Sequence, residues 1–88
     1  MSDAILLKDI AQRLNSISWD ILTLLYKTEE LSYSEIKNKL KVSQDKASKE
    51  IARLEGALLV DSRRDDIDTR YIKFKITDNG MNIMQHRR

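Results

Sequence analysis

Polar and basic side chains recur on one side of the segment 43–55, where they can bind the edges of nucleic-acid bases. At about 100° per residue, Ala47, Ile51 and Leu54 share one face of a helix, so the opposite face is polar. A helix fits the major groove of DNA, where Gln can bind adenine and Lys can bind guanine. The side chains predicted to lie on or beside this polar face are Gln44, Asp45, Lys46, Ser48, Lys49 and Arg53.

Three arginines flank a later polar segment that contains aspartates at positions 65, 66 and 68. Arg63 and Arg64 precede these aspartates, and Arg70 follows them. Lys and Arg contacts to phosphates supply most of the sequence-independent affinity for DNA, so the three arginines are predicted to contact a nucleic-acid backbone. An alternative interpretation is that Arg63 and Arg64 pair with the aspartates of the same segment.

The sequence contains no constellation of residues that is typical of an enzyme. It has no cysteine, which excludes thiolate metal sites, disulfides and cysteine nucleophiles. Its single histidine, His86, is the third residue from the end, and no nucleophile–base pair or phosphate-binding loop is recognisable. We therefore expect a non-enzymatic protein that needs neither a cofactor nor a metal.

Length and composition indicate a single small soluble domain that spans residues 1–88. The 88 residues have a mass of 10.3 kDa, and 34% of them are charged. No apolar run approaches the ~20 residues that span a bilayer, so we expect a cytoplasmic protein without a membrane partner. The net charge of +2 permits a nucleic-acid partner without requiring one.

Helical periodicity and capping residues divide the first two thirds of the chain into four predicted helices. The first covers residues 3–14, and the second ends near residue 26 after a cap at Ser16 or Ser18. A capping box that pairs Ser32 with Glu35 begins the third helix, residues 33–40. Ser43 caps the fourth helix, residues 44–55, so the two form a helix-turn-helix candidate over about 33–55.

The pattern changes to strands after this motif. The segment 58–60 is predicted to be a strand, and apolar and polar residues alternate over 71–76, so a hairpin wing spans about 58–76. Leu58 is also predicted to extend the buried stripe of the preceding helix. Thr77 caps a last short helix that contains Met81 and Met84. The predicted fold is mostly α within the α+β class: three helices, a turn, a fourth helix, the wing and a fifth helix.

Residues 31–80 resemble the winged helix-turn-helix of the small bacterial and archaeal repressors, the ArsR and MarR-like group. Residues 34–40 are similar to the first helix of that motif, 43–49 to the start of its recognition helix, and 71–77 followed by Gly80 to the return strand of its wing. The resemblance implies a transcriptional regulator that binds double-stranded DNA with helix 44–55 in the major groove. It adds Ser34, Lys41 and Ser43 to the predicted DNA-binding residues.

Some residues depart from the pattern of this group. Lys41 stands where a turn glycine is common, and the wing tip is acidic. The chain also lacks the cysteine pair or histidine cluster that metal-sensing members use, so we do not expect that chemistry here. The weak net charge and the acidic tip favour an alternative, namely a winged helix that binds another protein and not specific DNA. In that case the polar face of 44–55 is an ordinary solvated surface.

The apolar residues near the chain ends predict a two-fold dimer. The first predicted helix carries more apolar surface than a thin monomer core can bury, and members of the resembling group dimerise through terminal helices. We therefore expect sedimentation to give twice the 10.3 kDa chain mass. A stable monomer at micromolar concentration would contradict this. The predicted interface residues are Ile5, Leu6, Ile10, Leu14, Met81 and Met84.

Overall fold

Helices make up most of the chain, and a small antiparallel sheet accompanies them. The computed structural model of the protein describes residues 9–64, 67 and 72–86. Residues 9–12 are helical, and the helices that follow are α1 (Ser16–Lys27), α2 (Tyr33–Leu40), α3 (Gln44–Gly56) and α4 (Asp78–His86). The strands are β1 (Leu31–Ser32), β2 (Val60–Arg64) and β3 (Ile72–Ile76).

The predicted fold class and element order are confirmed. A helix-turn-helix formed by α2 and α3 is followed by the β2–β3 hairpin and by α4, as in a winged helix. Of the first predicted helix, residues 9–12 are helical, and residues 1–8 lie outside the described part of the chain. Among the described residues, no helix combines the length and the apolar character that crossing a membrane requires.

Helix α1 is the centre of the core. Its residues Ile21, Leu22 and Leu25 are fully buried, and α1 contacts α2, α3, α4 and β3. Apolar residues on two sides of this helix predict that position, because both sides must be covered. The remaining buried hydrophobic residues come from every other element: Leu31, Ile36, Ala47, Ile51, Leu54, Leu59, Val60, Phe74, Ile76 and Ile83.

A two-residue strand that the sequence pattern does not predict connects the helix-turn-helix to the wing. In β1, Leu31 pairs with Phe74 and Ser32 pairs with Lys73, so β3 lies between β1 and β2. The Tyr33 ring packs edge-on against Phe74 with ring centroids 4.7 Å apart. Two residues are too few to show a period, which is why the pattern does not reveal this strand.

The predictions for Leu58 are wrong. It neither continues the buried stripe of α3 nor begins a strand, since it is 67% exposed and has a left-handed backbone with φ of 64°. Helix α3 ends at Gly56, so helical spacing does not extend to Leu58, and Leu59 is buried instead. The strand β2 begins at Val60 and not at Leu58, and it extends to Arg64.

A compact junction joins the start of α4 to the end of α3. The prediction that Thr77 caps α4 is confirmed, because its Oγ1 accepts from the Gly80 N–H at 3.0 Å. Thr77 also donates its hydroxyl to the Leu58 carbonyl at 2.7 Å. A Cβ at Gly80 would lie 2.5 Å from Ile76 Cγ1 and even closer to the Leu59 carbonyl oxygen, so glycine is required there.

Substitution by alanine is therefore expected to have opposite effects on stability at the two glycines of the chain. Gly80→Ala should lower the free energy of unfolding by ~1–3 kcal/mol, because the new methyl group overpacks the junction. Gly56→Ala is the matched control: nothing lies within 4 Å of its Cβ position. It should raise the free energy of unfolding by about 0.5–1 kcal/mol, the helix preference of Ala over Gly. Urea denaturation measures both, and equal effects at the two positions would contradict the close approach at Gly80.

Candidate nucleic-acid interface

A three-residue break between α2 and α3 sets the angle of the helix-turn-helix. Lys41 ends α2 in the left-handed conformation, with φ of 55°, and its N–H donates to the Lys37 carbonyl. The Val42 N–H donates to the same carbonyl at 3.3 Å. Lysine thus adopts the backbone conformation that glycine more commonly takes, so the absence of glycine at Lys41 does not prevent the turn.

Ser43 begins α3, as its sequence context predicts. Its hydroxyl oxygen accepts from the Lys46 N–H at 3.2 Å, and Asp45 lies in the first turn, where a negative charge is favourable. Ser43 is exposed, so its place in the DNA interface stays a prediction.

Helix α3 has one buried face and one exposed face. Ala47, Ile51 and Leu54 have no solvent exposure, as predicted. Ser48 is half-buried at the border between the two faces. The predicted base-reading and flanking residues that α3 brings together on its exposed side are Gln44, Asp45, Lys46, Lys49 and Arg53. This arrangement is the one that major-groove binding requires.

The preceding helix adds further charge beside this face. Lys39 and Lys41 are exposed at and just beyond the end of α2, while Ser34 is exposed in its first turn. Three basic residues and one acidic residue, Asp45, lie on the exposed side of α3. A surface with this excess of positive charge attracts a polyanion. That these side chains contact DNA stays a prediction.

The wing arginine Arg63 binds a residue outside the wing, and the predicted contacts of Arg63 and Arg64 with DNA or with the loop aspartates stay predictions. Arg63 donates from Nε and Nη2 to Glu30 Oε1, at 3.1 and 2.8 Å. Glu30 lies 33 positions earlier in the chain, in the segment between α1 and β1, and no local pattern indicates this partner. Arg64 is exposed at the end of β2, and Arg70 and the loop aspartates lie outside the described residues.

A buried carboxylate on α3, Glu50, is a residue that the sequence pattern did not single out. It is 6% exposed and accepts from Asn15 Nδ2 at 2.7 Å and from Ser18 Oγ at 3.3 Å. Its spacing from Ala47 and Leu54 places it within the buried stripe, and that spacing is the signal that could have found it. Every buried polar side chain within the described ranges has a hydrogen-bond partner.

The predicted cap of α1, Ser16 or Ser18, is wrong, because the residue that caps this helix is Asn15. Its side chain accepts from the Ser18 N–H at 2.9 Å, so Asn15 caps the helix, and Ser16 and Ser18 lie inside it. Ser18 is fully buried, and its hydroxyl donates to Glu50.

The residues predicted to form a dimer interface fall into two groups. Ile10, Leu14 and Met84 are half-buried against the core, whereas Met81 is 41% exposed. Ile5 and Leu6 lie outside the described residues. Their part in a dimer stays a prediction. Within residues 9–64 and 72–86, no cluster of three or more His, Cys, Asp or Glu residues is placed to hold a metal ion.

Comparison with known proteins agrees with the winged helix-turn-helix fold. The sequence model of the MarR family matches residues 14–72. A variant of ZitR from Lactococcus lactis is 26% identical, with a TM-score of 0.79 over 84% of this chain and 50% of that one. YusO from Bacillus subtilis is also 26% identical, with a TM-score of 0.79 over 84% of this chain and 52% of that one.

A third structure shares the fold at lower identity. The transcriptional regulator PcaV from Streptomyces coelicolor, in complex with its natural ligand, is 21% identical, with a TM-score of 0.78 over 82% of this chain and 51% of that one. The present chain thus spans about half the length of these proteins. A sequence comparison with curated proteins finds no match.

The capping box of α2 predicts a pH dependence of stability. The Ser32 N–H donates to Glu35 Oε1 at 3.0 Å, and this bond is the main cause that lowers the pKa of Glu35 from 4.5. A carboxyl group with a lowered pKa in the folded state stabilises the protein above its unfolded pKa, and this stabilisation is lost as the pH falls through the lowered value.

Glu35→Gln should therefore remove part of the loss of stability between pH 7 and about pH 3, measured by urea denaturation. The effect should be small because Glu35 is exposed. Glu29→Gln removes another exposed carboxylate and serves as the control. An equal change in the pH dependence of both variants would contradict a specific role of the capping box.

Proposed function

The chain belongs to the MarR family of transcriptional regulators, and on that premise we propose that it binds double-stranded DNA sequence-specifically. It inserts α3 into the major groove and lays its wing along the backbone. A dimer binds a pseudo-palindromic site, with its two α3 helices about one helical turn of DNA apart. Binding of this kind represses a promoter by occupying it, in the cytoplasm of a bacterium or an archaeon.

The observation that supports this proposal is that α3 has one buried face and one exposed polar face. Ala47, Ile51 and Leu54 are completely buried, so the helix cannot rotate about its axis without exposing them. Gln44 and Lys49 therefore project from a fixed surface, and both have the donors that major-groove base edges accept. Ala52 is exposed on the same helix, and its small side chain permits a close approach to the groove.

Phosphate contacts position the helix in the groove. Lys39 and Lys41 on one side and Arg64 on the wing are exposed cations that can contact the backbone. If a dimer neutralises about eight phosphates, the logarithm of the binding constant falls with the logarithm of salt concentration with a slope of about −7.

A second candidate function is a winged helix that binds another protein. The pairing of Arg63 with Glu30 favours it, because this ion pair occupies one of the arginines expected to bind phosphate. The net charge of +2 favours it as well. A gel shift with random DNA at about 50 and 200 mM salt separates the two functions, because phosphate binding weakens steeply between these concentrations.

Two double variants test the division of roles between α3 and the wing. Gln44→Ala with Lys49→Ala should lower the preference for a site selected from random sequences at least about tenfold, since each base contact discriminates by about 1–3 kcal/mol. Arg63→Ala with Arg64→Ala should weaken binding to all sequences. The salt slope should become shallower by about 1 for each of these arginines that binds a phosphate in the unmodified protein.

The control is Lys27→Ala, which removes an exposed positive charge from the end of α1. It should leave the preference for the selected site unchanged, because Lys27 lies on neither α3 nor the wing. Unchanged affinity in both double variants would support the protein-binding function and contradict the proposal.

A further inference from the structure

Glu50 is the only charged side chain that is buried among the residues that the structure describes. A buried carboxylate is costly unless it is paired and hydrogen-bonded. Glu50 lies on the helix proposed to read DNA, on the face that packs against the protein's own core. Its partners lie at the start of α1 and on the exposed side of α3, so Glu50 links these two parts of the protein.

On the core side, Glu50 is held by the first turn of α1. Asn15 and Ser18 each donate a side-chain hydrogen bond to it, one to each carboxylate oxygen. Asn15 is itself fixed, since its Oδ1 accepts from the Ser18 N–H. The carboxylate of Glu50 therefore has a defined position relative to α1.

On the exposed side, Glu50 is paired with Arg53. Arg53 Nη1 and Glu50 Oε1 are 3.4 Å apart, and the two side chains are 51% and 8% exposed. The guanidinium is thus attached at one end to a buried anion while the rest of the group is in water. An ion pair with one buried partner restrains a long side chain more than a fully exposed pair does.

We propose that Glu50 is a specificity-determining positioning residue that holds Arg53 in one orientation on the DNA-facing side of α3. This inference rests on the proposed function. An arginine that is held in place can contact the DNA at one position, whereas a free arginine can reach the phosphates of any sequence. The negative charge of Glu50 also offsets the positive charge of Arg53, which limits its sequence-independent affinity.

Glu50→Gln tests this role, because it keeps the size of the side chain and removes the charge that holds Arg53. We expect affinity for random DNA to increase and the preference for a selected site to fall about tenfold, the value of one good base contact. The salt slope with random DNA should become steeper by up to about 1, as one additional phosphate contact forms. A purely structural role of Glu50 would not steepen this slope.

The double variant Asn15→Asp with Glu50→Gln separates positioning from folding. The new amide can donate to the new carboxylate, so the hydrogen bond between α1 and α3 is restored in the reverse direction, and aspartate still caps α1. We expect its thermal unfolding midpoint to return towards that of the unmodified protein. Its preference for the selected site should stay reduced, because the negative charge has moved from the side chain that pairs with Arg53.

Two further variants complete the experiment. Asp20→Asn is the control: it removes an exposed carboxylate from α1, a helix that carries none of the predicted DNA-binding residues. It should leave the sequence preference unchanged. Arg53→Ala should reduce the preference for the selected site, and adding Glu50→Gln to Arg53→Ala should reduce it no further.

The outcomes are distinct. If the folded double variant keeps the sequence preference and the salt slope of the unmodified protein, the inference is wrong. It is also wrong if Glu50→Gln has the same effect with and without Arg53, since Glu50 then acts through helix packing alone. Failure of the unmodified protein to bind either random or selected DNA would instead overturn the proposed function.

Discussion

The complete burial of one face of α3 against the core is the constraint on which the rest of the structure depends. Burying a side chain of the size of Ile or Leu stabilises the folded state by about 1.5–3 kcal/mol, whereas an exposed ion pair contributes ~0–1 kcal/mol. Ile51 and Leu54 therefore fix the rotation of α3 far more firmly than any of its surface charges. Because the helix cannot turn without exposing these residues, Gln44, Lys49 and Arg53 stay on its outer side.

The ends of α3 are set by two residues in a conformation that side chains disfavour. Lys41 before the helix and Leu58 after it have φ of 55° and 64°. The left-handed conformation costs a residue with a Cβ about 1–2 kcal/mol, so the surrounding structure must offset it. It does so through local hydrogen bonds, as from the Leu58 N–H to the Glu55 carbonyl, and through the burial of Leu59 directly afterwards. The strain is therefore balanced by the core packing that these turns permit.

Contacts between distant segments join α3 to the wing. The short strand β1 adds the start of α2 to the sheet through β3, and Ser62 on β2 donates to Glu55 on α3 at 3.0 Å. Glu30 holds Arg63 in the same region. These contacts fix the position of the wing relative to α3.

The sequence by itself determined the order of the helices, the capping by Ser32, Ser43 and Thr77, and the two faces of α3. These features depend on neighbours within one or two helical turns, so period and residue type suffice to predict them. Only the tertiary structure decided the strand β1, the exposure of Leu58 and the partners of Arg63 and Glu50. Glu30 and Asn15 lie 33 and 35 positions from the side chains that they bind. Such pairs form because the core brings distant segments together, and no local spacing encodes that approach.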